Sequence, residues 1–123
     1  MLKFALIGLG VMGKNHYRAL QNVAGVQIAA LCDPFSKENF AQKIYADLDE
    51  MLESENLDAA VIATPTSLHK EAALKCMQKG LNLLIEKPVC ANAADAQILL
   101  EEAKRRDIKV AVGHVGEGGD EVV

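Results

Sequence analysis

The chain has 123 residues, half of them apolar, and its 13 basic and 17 acidic side chains give a formal net charge of −4. This length accommodates one domain with its own core, and the apolar fraction excludes a wholly disordered chain. The acidic balance argues against nucleic acid as the main partner, because phosphate backbones select basic surfaces. No apolar run approaches the ~20 residues that span a bilayer, and no signal-peptide pattern is present, so we expect a cytoplasmic protein.

Short apolar runs at regular intervals predict the strands of a sheet. They lie at residues 4–7, 26–31, 59–63, 83–85 and 110–112, and a sixth, very short strand is predicted near Ile44–Tyr45. Continuous rather than alternating apolarity indicates burial on both faces, as in a parallel sheet covered by helices. Helical patterns with short connections separate the runs, so the sequence predicts a doubly wound α/β domain with about six parallel strands.

Polar residues mark where three of the intervening helices begin. Asp47, Ser67 and Asn92 each precede a helical pattern, and their side chains can accept hydrogen bonds from first-turn amides. The composition changes after residue 115, because residues 116–123 contain three glycines and three acids without periodicity. We therefore expect one domain at residues 1–115, followed by a flexible tail at residues 116–123.

The cysteines argue against several classes of site. Cys32, Cys76 and Cys90 form no C-x-x-C pair, and each lies in or beside an apolar stretch. An odd number cannot close a disulfide framework, so we expect reduced, buried thiols, and no metal site is predicted. A nucleophilic cysteine would need a partner base, and none stands at a motif spacing.

A glycine-rich loop follows the first predicted strand. Gly8, Gly10 and Gly13 form a G-x-G-x-x-G motif, with Val11 and Met12 between the last two, and the motif opens an amphipathic helix. The first glycine permits the tight turn, the second lets the backbone approach a pyrophosphate, and the third allows close helix–strand packing. The helix N-terminus supplies N–H donors and a positive dipole end, so no lysine is required. The alternative is a glycine turn that only links strand to helix.

An acid at the end of the second predicted strand indicates which dinucleotide binds. Asp33 stands 20 residues beyond Gly13, where a carboxylate accepts a hydrogen bond from a ribose 2′-hydroxyl. It would repel a 2′-phosphate, and the cation nearest to it in sequence is Lys37, so NAD is favoured over NADP. The alternative is a turn-forming role, because Asp33 precedes Pro34 and Asp-Pro is a common turn pair.

Further motifs carry a resemblance to a known family. They are His16 downstream of the glycine loop, residues 63–69 (Ala-Thr-Pro-Thr-Ser-Leu-His), the tripeptide Glu86-Lys87-Pro88, and residues 112–115 (Val-Gly-His-Val). With these motifs in this order, residues 1–115 resemble the Gfo/Idh/MocA oxidoreductases, NAD(P)-dependent dehydrogenases that act largely on sugars, sugar nucleotides and cyclitols. The resemblance implies a Rossmann fold with NAD as the cofactor. His16 falls on the apolar stripe of its helix, which favours a structural histidine.

The resemblance also implies roles for residues beyond the glycine loop. Lys87 would be catalytic or would orient the substrate, because a lysine at a strand end can polarise a carbonyl, or carry a hydroxyl proton if it is buried. Thr64, Pro65 and His69 would line the nicotinamide side of the cofactor, and Glu86 would contact the cofactor or hold the lysine. The alternatives are a solvated helix-start histidine at position 69 and an exposed Glu-Lys pair that merely closes a strand.

The chain departs from the family after residue 115. Family members continue into a second, open-faced α/β domain that supplies the substrate pocket and usually the oligomer interface, whereas a glycine-rich stretch follows here. We therefore expect a domain that binds a dinucleotide but is catalytically incomplete by itself, and that meets a sugar or polyol only if a second domain is present. Whether the chain is an enzyme or forms an oligomer stays open. A truncated gene, a frameshift and an engineered single domain would each produce this ending.

Two other functions fit parts of the pattern. A freestanding nucleotide- or CoA-binding module with a regulatory role fits the length, but it does not require Glu86-Lys87-Pro88. A small methyltransferase also uses a glycine loop and an acid after its second strand, but the loop spacing and the cationic Lys87 count against it. Binding of NAD, CoA or S-adenosylmethionine would distinguish the three.

Overall fold

The computed structural model describes residues 1–113 and 121–122. The strands are β1 (Leu2–Ile7), β2 (Val26–Cys32), β3 (Ile44–Tyr45), β4 (Ala59–Ile62), β5 (Asn82–Ile85), β6 (Val110–Val112) and β7 (Glu121–Val122). The helices are α1 (Val11–Leu20), α2 (Leu48–Ser54), α3 (His69–Gln78) and α4 (Ala93–Arg106), and a short 3-10 turn (Thr66–Leu68) precedes α3. Residues 114–115 of the family motif, and residues 116–120 and 123 of the expected tail, lie outside the described residues.

The strands form one sheet in the order β3-β2-β1-β4-β5-β6-β7. The first six are parallel, which confirms the predicted doubly wound sheet. The last strand was not predicted, and it pairs antiparallel with β6 through Ala111 and Val112. The chain winds outward from β1 in both directions, so the sheet has a switch point between β1 and β4, where folds of this kind bind ligands.

Apolar cores lie on both faces of the sheet. Along β1, Ala5 and Ile7 point to one face and Leu6 to the other, as the pleat requires. Buried side chains of α2, α3 and α4, such as Met77, cover the first face, and α1 covers the second through Leu20. Burial on both faces is the reason why the strands read as continuous apolar runs.

The helix starts agree with two of the three predicted caps. The side chains of Asp47 and Asn92 accept hydrogen bonds from the amides three residues further on, at 3.2 and 2.8 Å. The prediction for Ser67 is wrong, because Ser67 already lies in the 3-10 turn and α3 begins at His69. Of the helices that the structure describes, none combines the length and apolarity that a membrane crossing requires.

Candidate functional site

The carboxyl ends of β1, β2 and β4 surround a cleft of about 710 Å³. It lies at the switch point of the sheet. The cleft collects these residues predicted to bind the cofactor: Gly8, Gly10, Val11, Met12, Asp33, Thr64 and Pro65. The other predicted site residues lie outside its lining: Gly13, His69, Glu86 and Lys87.

Two glycines of the loop are required by packing. Gly8 has a φ of +98°, and a Cβ there would lie 2.7 Å from the carbonyl carbon and oxygen of Ala63. A Cβ on Gly13 would lie 1.9 Å from the carbonyl oxygen of Gly8. The loop therefore presses against both the segment after β4 and the first turn of α1, and neither position has room for a side chain.

Gly10 differs because the space beside it is open. A Cβ there would meet no atom within 4 Å, and the φ of −72° and ψ of −162° are values that any residue adopts. Gly10 is the N-cap of α1, where the described residues provide no side-chain cap and the first turn carries no acid. This helix start presents amide donors and a positive dipole end, the features that bind phosphate at helix N-termini.

Asp33 connects the end of β2 to the glycine loop. Its Oδ2 accepts a hydrogen bond from the Leu9 amide at 2.8 Å, and its Oδ1 accepts one from the Phe35 amide at 2.8 Å. The second bond is the turn considered as the alternative role, and the first holds the loop in place. A carboxylate oxygen has a second lone pair, so Asp33 can also accept a hydrogen bond from a ligand hydroxyl.

Thr64 places a polar atom that lacks a partner on the other side of β1. Its Oγ1 is buried and forms no hydrogen bond with the residues that the structure describes. Buried hydroxyls are normally hydrogen-bonded, so this atom marks a point where a polar ligand group would complete the site. Together with the open space beside Gly10, the Thr64 hydroxyl shows that the residues present fit a dinucleotide.

Apolar side chains at the rim are the part of the cleft that the sequence analysis missed. Phe35 is 86% exposed, and Leu48 and Leu68 line the same cleft. A cleft bounded by such side chains suits a flat, largely apolar ring system such as adenine. The sequence feature that could have revealed this rim is a large apolar residue, such as Phe35, in a segment whose other residues are typical of turns.

The basic side chain among the described lining residues is Lys75. Its ammonium group pairs with Asp49 at 3.1 Å and with Glu71 at 3.3 Å, and these hydrogen bonds, Asp49 first, raise the pKa of Lys75. Because two carboxylates already neutralise it, Lys75 is poorly placed to pair with phosphates. The N-terminus of α1 is therefore the feature of this cleft that suits an anion.

Cys32 lines the cleft, but its surroundings keep the thiol protonated. Burial raises the pKa of Cys32 to about 11, and the carboxylates of Asp33 and Asp47 add to the shift. Burial also raises the pKa of Cys76, to about 12, and that of Cys90. All three cysteines are buried and unpaired, as predicted.

Over residues 1–113, no three His, Cys, Asp or Glu side chains group to hold a metal ion.

His69 lies behind the cleft and does not line it. It is 1% exposed, with Nε2 at 2.8 Å from the carbonyl oxygen of Thr64 and Nδ1 at 3.0 Å from that of Val89. The ring is therefore neither the solvated side chain considered as an alternative nor part of the cleft wall. It joins the segment after β4 to the segment after β5.

Glu86 and Lys87 follow β5, the strand next to β4 in the sheet. Glu86 is 8% exposed, and its carboxylate pairs with Nε2 of His16, which is 2% exposed. Lys87 is exposed, and it forms no ion pair with the residues that the structure describes. Its peptide bond to Pro88 is cis. The burial considered for this lysine from the sequence is not found.

The sheet, its switch point and the glycine loop at a helix start define a Rossmann-type nucleotide-binding domain. The family follows from comparison with known proteins. Residues 2–114 match the GFO_IDH_MocA model, described as an oxidoreductase family with an NAD-binding Rossmann fold. The chain belongs to this family.

Individual relatives show how much of a family member is present. An inositol 2-dehydrogenase from Streptomyces avermitilis is 34% identical over 121 residues, which cover 90% of this chain and 35% of that protein. The WlbA dehydrogenase from Bordetella pertussis, solved in complex with NADH and UDP-GlcNAcA, matches with a TM-score of 0.84 at 26% identity, covering 90% of this chain and 36% of its own. GenD2 from gentamicin A biosynthesis, solved in complex with NAD, matches with a TM-score of 0.85 at 28% identity, covering 91% and 34%. The chain therefore spans about a third of the length of these relatives.

Proposed function

We propose that this chain is the dinucleotide-binding part of a dehydrogenase and that it binds NAD, in preference to NADP, in the cleft at the switch point. The observation that carries the proposal is the open space beside Gly10, which the packed positions of Gly8 and Gly13 do not share. A motif glycine at a position where neither packing nor backbone conformation requires it indicates that another molecule approaches the backbone there.

Different residues along the cleft would bind different parts of the dinucleotide. The amides at the start of α1 would bind the pyrophosphate, and Asp33 would accept a hydrogen bond from the adenosine ribose. Thr64 would donate its hydroxyl proton to a polar group of the second nucleotide. The apolar rim at Phe35 and Leu68 would cover the adenine ring.

The reaction we propose is the oxidation of a hydroxyl group of a sugar, sugar nucleotide or cyclitol. The bound cofactor would supply the hydride acceptor. Lys87 would hold the substrate hydroxyl and take part in moving its proton, because a lysine at this strand end would lie beside the second nucleotide. The whole enzyme would need residues that face Lys87 from beyond the described fold. The buried, unpaired thiols fit a reducing compartment, so we include a cytoplasmic location in the proposal.

The test is a calorimetric titration of the purified chain with NAD, beside the variant Gly10→Val. We expect the chain to bind NAD and the variant to fold but show no binding heat, because the valine fills the space that a pyrophosphate needs. The control is Ala24→Val, which adds the same side chain at an exposed position beyond the far end of α1. No binding by the unaltered chain, or normal binding by Gly10→Val, would refute the assignment.

A further inference from the structure

The segment that carries Lys87 is attached to the rest of the domain on both sides of the lysine. Glu86, one residue before it, holds His16 of α1, and Val89, two residues after it, holds His69 of α3. Lys87 itself is exposed between these two attachments. The position of its backbone is therefore set by two histidines that belong to other elements.

The attachment through His16 reaches the helix that follows the glycine loop. The imidazole is buried on the side of α1 that faces the sheet, and the Glu86 carboxylate meets it there. Both partners are polar and nearly inaccessible to solvent. If either side chain is replaced, the other stays buried away from water but loses its original hydrogen-bond partner, which is unfavourable. Such a contact transmits a displacement of α1 to the residue before Lys87.

The attachment through His69 reaches the other wall of the cleft. One ring nitrogen contacts the carbonyl oxygen of Thr64, a residue that lines the cleft, and the other contacts that of Val89. Neither carbonyl belongs to a strand, so the ring fixes two segments that the ladder of the sheet does not hold. The histidine thus sets how far the Lys87 segment lies from Thr64.

The order of the strands places this segment beyond the lining of the cleft, on the side of β4. The ends of β2, β1, β4 and β5 follow one another along the edge of the sheet and carry Asp33, Gly8, Thr64 and Lys87. A dinucleotide with its adenosine ribose at Asp33 and its pyrophosphate at the glycine loop extends its second nucleotide towards β4 and β5. The nicotinamide half, and not the adenosine half, therefore reaches the segment that the histidines hold.

We propose that His16 and His69 are positioning residues that hold Lys87 and its flanking backbone against the nicotinamide half of the dinucleotide. This inference rests on the proposed function, since it needs a dinucleotide in the cleft. According to this proposal, both histidines affect the binding of the nicotinamide half of the ligand and not that of the adenosine half. Neither side chain needs to touch the ligand to produce it.

The test compares two ligands that share the adenosine half, NADH and ADP-ribose, on the chain and on His16→Gln and His69→Gln. Glutamine retains a hydrogen-bonding amide but cannot reproduce the geometry of the ring. We expect each variant to bind NADH roughly three- to tenfold more weakly, as for a disturbed buried hydrogen bond, and to bind ADP-ribose as before. Unchanged binding of ADP-ribose shows at the same time that the cleft is folded.

A matched control removes a partly buried hydrogen bond elsewhere. Tyr45 is buried in β3 and donates its hydroxyl proton to Glu55 at 2.5 Å, so Tyr45→Phe disturbs the fold without touching the Lys87 segment. We expect it to leave the ratio of NADH to ADP-ribose affinity unchanged. Glu86→Gln, which keeps an acceptor for His16, should lower the ratio less than Glu86→Ala.

Each outcome decides a different question. If the unaltered chain binds neither ligand, the proposed function fails and the inference falls with it. If it binds both, but the histidine variants lose both equally or lose neither, the positioning role is overturned while the proposed function stands. Should the variants not fold, amide hydrogen exchange of the unaltered chain decides: protection of Lys87, Val89 and Cys90 that is greater with NADH than with ADP-ribose supports the inference, and equal protection overturns it.

Discussion

Asp33 shows how one side chain can serve the fold and the site together. Its two oxygens hold the amides of Leu9 and Phe35, so the carboxylate fixes the glycine loop and the turn after β2 before any ligand arrives. A ribose hydroxyl would meet an acceptor that is already oriented. This preorganisation lowers the cost of binding, since the side chain need not be ordered again.

We expect Asp33→Ala to weaken NAD binding by about 1.5–3 kcal/mol, the range for a lost hydrogen bond to a charged group. Binding of NADP should fall less, because the charge that repels a 2′-phosphate is removed with the hydrogen bond. Titration of both dinucleotides measures the two effects. Glu53→Ala, which removes an equal charge from an exposed position on α2, serves as the control. Equal affinity of the unaltered chain for NAD and NADP would contradict the role given to Asp33.

For individual residues, the sequence predicted the candidates for the site better than it predicted the side chains and backbone groups that they contact. The glycine spacing and Asp33 were recognisable because backbone geometry imposes both locally. The contact of His16 with Glu86 joins residues 70 positions apart, and the pair of carbonyls at His69 depends on where two segments meet. No local pattern records such meetings, so a buried bridge at His69 could not be told from a solvated side chain.

Helix α1 illustrates how an element positions the site. Its first turn packs so closely on the glycine loop that Gly13 and the carbonyl of Gly8 leave no room for a methyl group, while Gly10 faces open space. Packing and ligand approach therefore require glycine at different points of one motif. The motif already predicted a different reason for each glycine, and the structure shows the close packing at Gly8 and Gly13 directly.

We expect Gly13→Ala to lower the free energy of unfolding by roughly 1–3 kcal/mol or more, because the added carbon forces α1 away from the loop. Gly10→Ala should leave the free energy of unfolding within about 1 kcal/mol of the unaltered chain, because the added carbon meets no atom and glycine is only modestly preferred to alanine at an N-cap. Urea denaturation followed by circular dichroism measures both. A Gly13→Ala variant as stable as the unaltered chain would mean that the packing of α1 is looser than described.

The helix starts show where local rules hold and where they fail. Asp47 and Asn92 act as predicted because each has an extended backbone conformation and its side chain accepts a hydrogen bond from an amide in the first turn of its own helix. Ser67 has the same chemistry, but the 3-10 turn that follows Pro65 has already begun when the chain reaches it. Tertiary demands after β4, where Thr64 and His69 must both be placed, override the capping preference.

For the whole molecule, the parallel sheet was predictable and its edge was not. Continuous apolar runs predicted five of the parallel strands, and a sixth, very short strand was predicted near Ile44–Tyr45. Right-handed crossovers allow few orders for these strands in the sheet. Strand β7 has two residues, Glu121 and Val122, and no pattern that could reveal it. By pairing with β6, it covers an edge that would otherwise offer free backbone groups to another chain.

We expect the 123-residue chain by itself to show no enzyme-like turnover of sugars, sugar nucleotides or inositols with NAD. Hydride transfer needs the substrate carbon held about 3–3.5 Å from the nicotinamide, and such positioning accounts for about 7–11 kcal/mol of barrier lowering. In the proposed site, Lys87 would lie on one side of the reacting atoms, and the described fold leaves this side chain exposed to water. The absorbance of NADH measures the rate.

A fusion of this chain to the remaining part of the Streptomyces avermitilis inositol 2-dehydrogenase is the comparison for that assay. We expect the fusion protein to oxidise its substrate with NAD, because the added domain would supply the residues that face Lys87. Robust turnover by the 123-residue chain, lost on Lys87→Ala, would show that the site is complete without a second domain.

The central place of β1 also bears on how the molecule comes to be made. Phe4 pairs with Ile28 of β2 and with Ala59 of β4, and contacts between residues so far apart in sequence form slowly, because a long loop must close first. The glycine loop rests on the backbone of Ala63 and Thr64, so its conformation is incomplete until β4 has joined the sheet. A polypeptide growing on the ribosome therefore acquires its affinity for a dinucleotide only when the residues around Thr64 have emerged, long after the loop itself was synthesised.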